Sequence, residues 1–126
     1  MNTNAIITGT FDPITIGHLD IIKKTAKLFN KVYVVICNNA SKSCLFDEST
    51  RHKAVEIAVS DITNVTVEIL GNISVAEYAD KHNGVIVRGI RDDIDASYEI
   101  SLAEINKTIA GVDTIIIPTS PSLSFV

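Results

Sequence analysis

The sequence predicts a doubly wound α/β fold in which a five-stranded parallel sheet is covered by helices on both faces. Short runs of apolar and β-branched residues alternate with segments whose apolar residues recur every three or four positions. The runs are nearly continuous, which is typical of parallel strands buried on both faces. A length of 126 residues fits a single domain spanning residues 1–126.

Five segments have the composition of buried strands. They are residues 5–7, 31–37, 64–70, 85–87 and 113–117. The fourth segment continues directly into Arg88-Gly89-Ile90-Arg91, which we expect to form a turn at the end of that strand. Pro118 follows the fifth segment and is expected to end it.

Four helices are predicted between these strands. Asp47 and Ser74 are the predicted N-caps of the second and third helices, and Ser74 has the S-x-x-E form of a capping box. Gly111 is expected to end the fourth helix. The apolar residues of that helix form one stripe at Ile94, Tyr98, Leu102, Ile105 and Ile109.

Composition and charge exclude several classes of protein. A net charge of −4 argues against a nucleic-acid-binding surface, which needs clustered basic residues. No apolar run approaches the roughly 20 residues of a membrane span, and the N-terminus lacks the pattern of a signal peptide, so we expect a cytoplasmic protein. Cys37 and Cys44 are expected to be free thiols, and no ligand spacing predicts a protein-bound metal.

Residues 8–18, T-G-T-F-D-P-I-T-I-G-H, lie between the first predicted strand and the first predicted helix. This strand, turn and helix start form the usual frame of a phosphate site in an open α/β sheet. Gly9 and Gly17 allow close approach of the backbone to a ligand. His18 falls in the first helical turn, where unpaired N–H groups favour anions.

Further groups able to hold phosphates follow the other strands, so we expect them on the same rim of the sheet. They are Lys42, the pair Arg88 and Arg91, and the closing loop after Pro118. The alternatives are an ordinary solvated side chain for Lys42 and structural ion pairs for the two arginines. The acids available for those ion pairs are Asp92, Asp93 and Asp95.

Several motifs together resemble one enzyme family. G-T-F-D-P-I-T-I-G-H resembles the (T/H)xGH signature of nucleotidylyltransferases. The form of this signature that begins with threonine, here Thr15, resembles that of phosphopantetheine adenylyltransferases in particular. Ser41-Lys42, the R-G-I-R-D stretch from Arg88, and Tyr98-Glu99 are similar to later motifs of that family, in order and over nearly the whole chain.

The resemblance implies a Rossmann-like enzyme of coenzyme A biosynthesis. Such an enzyme transfers the adenylyl group of ATP to 4′-phosphopantetheine, giving dephospho-coenzyme A and pyrophosphate. Mg²⁺, a cytoplasmic location and a homohexamer are implied as well, and neither nucleic acid nor a membrane is an expected partner.

The resemblance also implies roles for individual residues. The implied catalytic residues are Thr10, His18, Lys42 and Arg91. The implied ATP-binding residues are Gly9, Thr10, Phe11, Gly17, His18, Gly89, Arg91 and Glu99. The implied phosphopantetheine-binding residues are Thr10, Lys42, Val75, Arg88, Leu102 and Asn106. Core packing is the alternative for Val75 and Leu102, and a solvated position is the alternative for Asn106.

The match stops within a motif at residues 124–126, so the expectation is a chain without the family's I-S-S-x segment and the helix that follows it. Two alternatives to the adenylyltransferase follow. One is a catalytically impaired remnant that binds phosphopantetheine only. The other is a related (T/H)xGH cytidylyltransferase, against which Thr15 and the R-G-I-R-D stretch argue.

Overall fold

The computed structural model describes residues 3–38, 43–90 and 93–118, without the side chains of residues 93–95. Strands and helices alternate throughout this part of the chain. In order they are β1 (Asn4–Gly9), α1 (Ile16–Leu28), β2 (Lys31–Ile36), α2 (Glu48–Ala58), β3 (Val65–Ile69), α3 (Val75–Lys81), β4 (Gly84–Ile90), α4 (Asp93–Ala110) and β5 (Thr114–Pro118).

All five strands pair in parallel, in the order β3-β2-β1-β4-β5. The strand order therefore reverses beside β1, which lies between β2 and β4. This arrangement confirms the predicted doubly wound parallel sheet. In such sheets ligands bind beyond the carboxyl ends of the strands at the reversal, so the ends of β1 and β4 mark the expected site.

Two cores lie on opposite faces of the sheet, because successive residues of a strand point to opposite sides. Ile7 of β1 packs in one core with Ile22 of α1 and Val55 of α2. Ile6 packs in the other with Ala79 of α3. The helix α4 contacts α3, β4 and β5. Helices on both faces are therefore confirmed, and they leave the strand ends as the place for a site.

The predicted helix signals act as expected. Asp47 accepts a hydrogen bond from Thr50 N–H at the start of α2, and Ser74 accepts one from the main-chain N–H three residues later at the start of α3. Gly111 takes a positive φ of 68° after α4 and donates its N–H to Lys107 O, as a glycine C-cap does. These contacts confirm the predicted helix boundaries at those positions.

The prediction that β4 ends at Val87 was wrong. Arg88, Gly89 and Ile90 continue the strand, and they pair with residues 116–118 of β5. A charged residue and a glycine interrupt the apolar run and so hide the extension in the sequence. The neighbouring strand nevertheless supplies a continuous ladder, which carries Arg88 on the sheet itself rather than in a turn.

The apolar stripe predicted for α4 does not form its buried face. Tyr98, Ile105 and Ile109 are exposed, whereas Glu99 is only 5% exposed. The buried face of α4 is therefore offset by about one residue from the predicted stripe. Glu99 can belong to this face because its carboxylate pairs with Arg88.

None of the helices in the described part of the chain has the length and apolar character of a membrane span.

Candidate active site

His18 is held by the start of α1. Thr15 is the N-cap of α1 and accepts a hydrogen bond from His18 N–H, while His18 Nδ1 accepts the N–H of Thr15 at 3.0 Å. The two residues thus form a reciprocal capping box, with histidine in the place usually taken by Glu or Gln. Because Nδ1 is an acceptor here, the proton of the neutral ring lies on Nε2, which becomes a donor.

Gly9 and Phe11 support the histidine ring. Phe11 is 2% exposed, has a φ of +50°, and meets the ring of His18 edge-on with centroids 4.9 Å apart. A Cβ at Gly9 would lie 3.1 Å from the Phe11 ring, so glycine is needed for this packing. The Phe11 side chain is therefore enclosed between Gly9 and the His18 ring.

Arg88 on β4 faces the end of β1. Its Nη1 donates to both the carbonyl and the hydroxyl oxygen of Thr8, at 2.8 and 2.9 Å. Its Nε and Nη2 donate to the two carboxylate oxygens of Glu99, at 3.0 and 3.1 Å. The expected alternative of an ion pair is therefore realised with Glu99 of α4, whereas the side chains of Asp92, Asp93 and Asp95 lie outside the described residues. This bidentate pair fixes the plane of the guanidinium beside the strand reversal.

Three of the remaining sites implied by the resemblance, Thr10, Gly17 and Gly89, lie on or next to β1, α1 and β4. Gly89 follows Arg88, and a Cβ there would come within 2.9 Å of Ile21 Cγ1, so this glycine lets α1 pack on β4. Gly17 is the second residue of α1. Thr10 follows β1 directly. Lys42 and Arg91 lie outside the described residues.

The residues expected to face a pantetheine arm lie on one face of the sheet. Val75 begins α3 and packs against the core that contains Ile6. Leu102 and Asn106 are half-buried, one helical turn apart on α4, and α3 contacts α4. The structure thus gathers them on the side of α3 and α4, which is compatible both with a pocket and with plain core packing.

Asp12 connects the end of β1 to the segment before α2. Its carboxylate accepts the N–H groups of Leu45 and Phe46, at 2.6 and 2.9 Å. Desolvation raises the pKa of Asp12, but these hydrogen bonds and the nearby Arg51 guanidinium outweigh it and hold the pKa below its usual value. Asp12 lies within the G-T-F-D-P motif, but this role is not predicted from the sequence.

Arg51 on α2 was missed by the sequence analysis. It is 2% exposed, and Nη1 donates to Thr10 O at 3.0 Å, so a buried cation lies directly behind the strand end. A signal for it exists in the sequence. Arg51 shares a helical face with Ala54, Val55 and Ala58, and a charged residue within an apolar face indicates a specific buried partner.

The chemistry available at this rim is that of phosphate binding and charge stabilisation. A helix start, the Nε2 donor of His18 and the Arg88 guanidinium surround the ends of β1 and β4. Burial raises the pKa of Cys37 at the end of β2 and keeps its thiol protonated, so it is not an activated nucleophile. In-line transfer of a phosphoryl-type group needs positioned donors rather than a protein nucleophile.

Mg²⁺ is the ion that the resemblance implies. No group of three or more His, Cys, Asp or Glu side chains within the described residues is placed to hold a metal. Asp12 is engaged by main-chain N–H groups and Glu99 by Arg88. This part of the chain therefore offers no carboxylate set for the ion.

The cytidylyltransferase-like family matches residues 6–124, which is nearly the whole chain. Solved structures share the fold. A lipopolysaccharide core biosynthesis protein from Thermoplasma volcanium is 22% identical with a TM-score of 0.67, and the match covers 94% of this chain and 96% of that one.

Two adenylyltransferase structures are similar as well. A putative nicotinate-nucleotide adenylyltransferase from Vibrio parahaemolyticus is 17% identical with a TM-score of 0.71, covering 99% of this chain and 78% of that one. A nicotinic acid mononucleotide adenylyltransferase from Plasmodium falciparum, complexed with APC, is 21% identical with a TM-score of 0.66. That match covers 94% of this chain and 64% of the other one. At these identities the similarities establish the shared fold.

Proposed function

This chain belongs to the cytidylyltransferase-like family, a nucleotidyltransferase superfamily, and we propose that it transfers the adenylyl group of ATP to 4′-phosphopantetheine. The products are dephospho-coenzyme A and pyrophosphate, a step of coenzyme A biosynthesis. The acceptor phosphate attacks the α-phosphorus of ATP, the bond from that phosphorus to the β-phosphate oxygen breaks, and pyrophosphate leaves. Mg²⁺ enters this proposal as the ion that accompanies the triphosphate.

The observation that carries the proposal is the capping arrangement of His18 at the end of β1. Because Nδ1 accepts Thr15 N–H, the proton of the neutral ring lies on Nε2. We assign this donor to the ATP phosphates, where it stabilises the charge that develops as pyrophosphate leaves. Thr10, Lys42 and Arg91 complete the proposed catalytic set.

The choice of acceptor rests on the R-G-I-R-D stretch that begins at Arg88. We assign Arg88 to the phosphopantetheine end of the site and Glu99, its ion-pair partner, to the adjoining ATP site. In this assignment the bidentate Arg88–Glu99 pair joins the two parts of the site. Val75, Leu102 and Asn106 are proposed to line the pantetheine arm.

The test is pyrophosphate release by the purified chain with three pairs of substrates. They are ATP with 4′-phosphopantetheine, CTP with glycerol 3-phosphate, and ATP with nicotinate mononucleotide, the last because a similar solved structure is a nicotinic acid mononucleotide adenylyltransferase. Release with the first pair alone is the expected result. Release with either other pair instead would transfer the assignment to that acceptor.

A further outcome distinguishes the impaired form of the protein. If none of the pairs releases pyrophosphate, separate titrations with ATP and with 4′-phosphopantetheine by calorimetry decide between two readings. Binding of phosphopantetheine without ATP would indicate a remnant that keeps only the acceptor site.

Sedimentation of the same sample tests the proposed hexamer, and a monomer would contradict it.

A further inference from the structure

A buried arginine that the proposed chemistry does not use lies behind the active site. Arg51 is 2% exposed, and within the described residues no carboxylate lies within 4.0 Å of its guanidinium. Its partners are instead four oxygen acceptors, at Thr10 O, Cys37 O, Phe46 O and Asn38 Oδ1. A buried charge without an ion pair is costly unless its hydrogen bonds are well made.

The acceptors of Arg51 lie near the carboxyl ends of β1 and β2, at the rim of the sheet where the substrates are proposed to bind. Thr10 follows β1, and Cys37 follows β2. Asn38 and Phe46 lie at the two ends of the segment that carries Lys42, with Nη2 to Asn38 Oδ1 at 2.5 Å and Nε to Phe46 O at 3.0 Å. One rigid guanidinium thus joins two strand ends and both ends of this segment.

Asp12 extends this network to the other side of the same segment. Its carboxylate accepts Leu45 N–H and Phe46 N–H, while Arg51 holds the carbonyl of Phe46. The peptide groups on both sides of Phe46 are therefore fixed, one through its N–H and the other through its C=O. Asn38 in turn donates to Glu48 Oε2 at the start of α2.

We propose that Arg51 is a positioning residue of the transfer reaction, which holds the main chain of Thr10 in register with Asn38 and with the main chain of Phe46. The proposal rests on the function proposed above for the role of Thr10. Arg51 acts through these residues and touches no substrate. Its planar, five-donor fork fits four divergent acceptors, which a lysine ammonium cannot match.

The test compares Arg51→Lys with His52→Gln, a matched control on the next residue of α2. His52 also ties α2 to the sheet, through Nε2 to Val67 O at 3.1 Å, but it does so at β3 and away from the rim. We expect Arg51→Lys to lower kcat by about 100-fold, because a misplacement of about 1 Å has that effect. The KM for ATP should change by less than about threefold, since the ground-state contacts are less sensitive to alignment.

A second variant tests the proposal even if Arg51→Lys does not fold. Asn38→Ala removes one acceptor at an exposed position and leaves the arginine in place, so the fold should persist and kcat should fall by about tenfold. A kcat within twofold of wild type in folded Arg51→Lys, or a loss confined to KM, would overturn the proposal. An equal loss in His52→Gln would also overturn it, because the effect would then be general destabilisation.

A measurement without turnover separates this proposal from the proposed function. Hydrogen exchange of Leu45 N–H and Phe46 N–H reports whether the segment is held, whichever reaction the chain catalyses. Exchange about tenfold faster in Arg51→Lys, and unchanged in His52→Gln, is the expected result. Unchanged exchange in Arg51→Lys refutes the positioning role, whereas a wild-type chain inactive on every substrate pair refutes the proposed function alone.

Discussion

At the scale of single residues, the proposed reaction depends most directly on His18. Its Nδ1 is occupied by Thr15 N–H, so replacing the ring removes a donor on Nε2 while the helix keeps its threonine cap. For His18→Ala we expect turnover to fall by about 10²–10³, as for loss of one transition-state donor. The dissociation constant of ATP should change far less. Turnover by stopped assay and affinity by calorimetry measure the two effects.

His52→Ala is the control for that substitution, because it removes a half-buried imidazole whose contacts are Val67 O of β3 and the Glu56 carboxylate, away from the end of β1. It should leave turnover within about twofold of wild type. An unchanged turnover number in His18→Ala would remove the histidine from the mechanism and leave only its structural part in the capping box.

The carboxylate of Asp12 gives a prediction for the effect of pH on stability. Its pKa is lower in the folded protein than the ordinary value of 3.8, so its stabilising contribution is present above 3.8 and is lost as the pH falls through the folded pKa. In Asp12→Asn the free energy of unfolding should therefore fall less steeply below about pH 4 than in wild type. Urea unfolding at a series of pH values measures this slope, and identical slopes would contradict the prediction.

At the scale of elements, the packing of α1 on β4 depends on a glycine. A Cβ at Gly89 would lie 2.9 Å from Cγ1 of Ile21, which is itself buried. Gly89→Ala should therefore destabilise the fold by about 1–3 kcal/mol through overpacking. Gly71→Ala is the matched control, because nothing lies within 4 Å of the added methyl group. Denaturant unfolding of both variants checks the difference, and equal stability would show that α1 shifts freely.

The elements also show where local patterns mislead. The run from Val85 to Val87 predicts a three-residue strand, yet β4 continues to Ile90 because β5 pairs with it. In α4 the most regular apolar stripe is exposed, because burial of Glu99 against Arg88 decides which face turns inward. In both cases a partner distant in the sequence overrides the local signal.

At the scale of the whole molecule, burial rather than residue type decides how much a substitution lowers the free energy of unfolding. Ile6 on the central strand is completely buried, and Ile109 on α4 is 78% exposed. Ile6→Ala should lower the free energy of unfolding by about 2–5 kcal/mol, through lost transfer free energy and the cavity that remains. Ile109→Ala should change it by less than about 0.5 kcal/mol.

Chemical denaturation of these two variants tests the assignment of the cores. Similar losses in both would mean that the exposed stripe of Tyr98, Ile105 and Ile109 is covered in solution, as the proposed homo-oligomer allows. A concentration-dependent midpoint in wild type would then identify a second copy of the chain as the cover.

The sequence alone determined the alternation of strands and helices, the caps at Asp47, Ser74 and Gly111, and the placing of Thr10 and His18 at the end of β1. These features depend on residues close together in the chain, so composition and spacing suffice to predict them. Only the tertiary structure decided the extent of β4, the inward face of α4, the partner of Arg88 and the place of Arg51. Each of these depends on contacts between distant segments, and a buried charge reveals its partner only when the fold brings the two together.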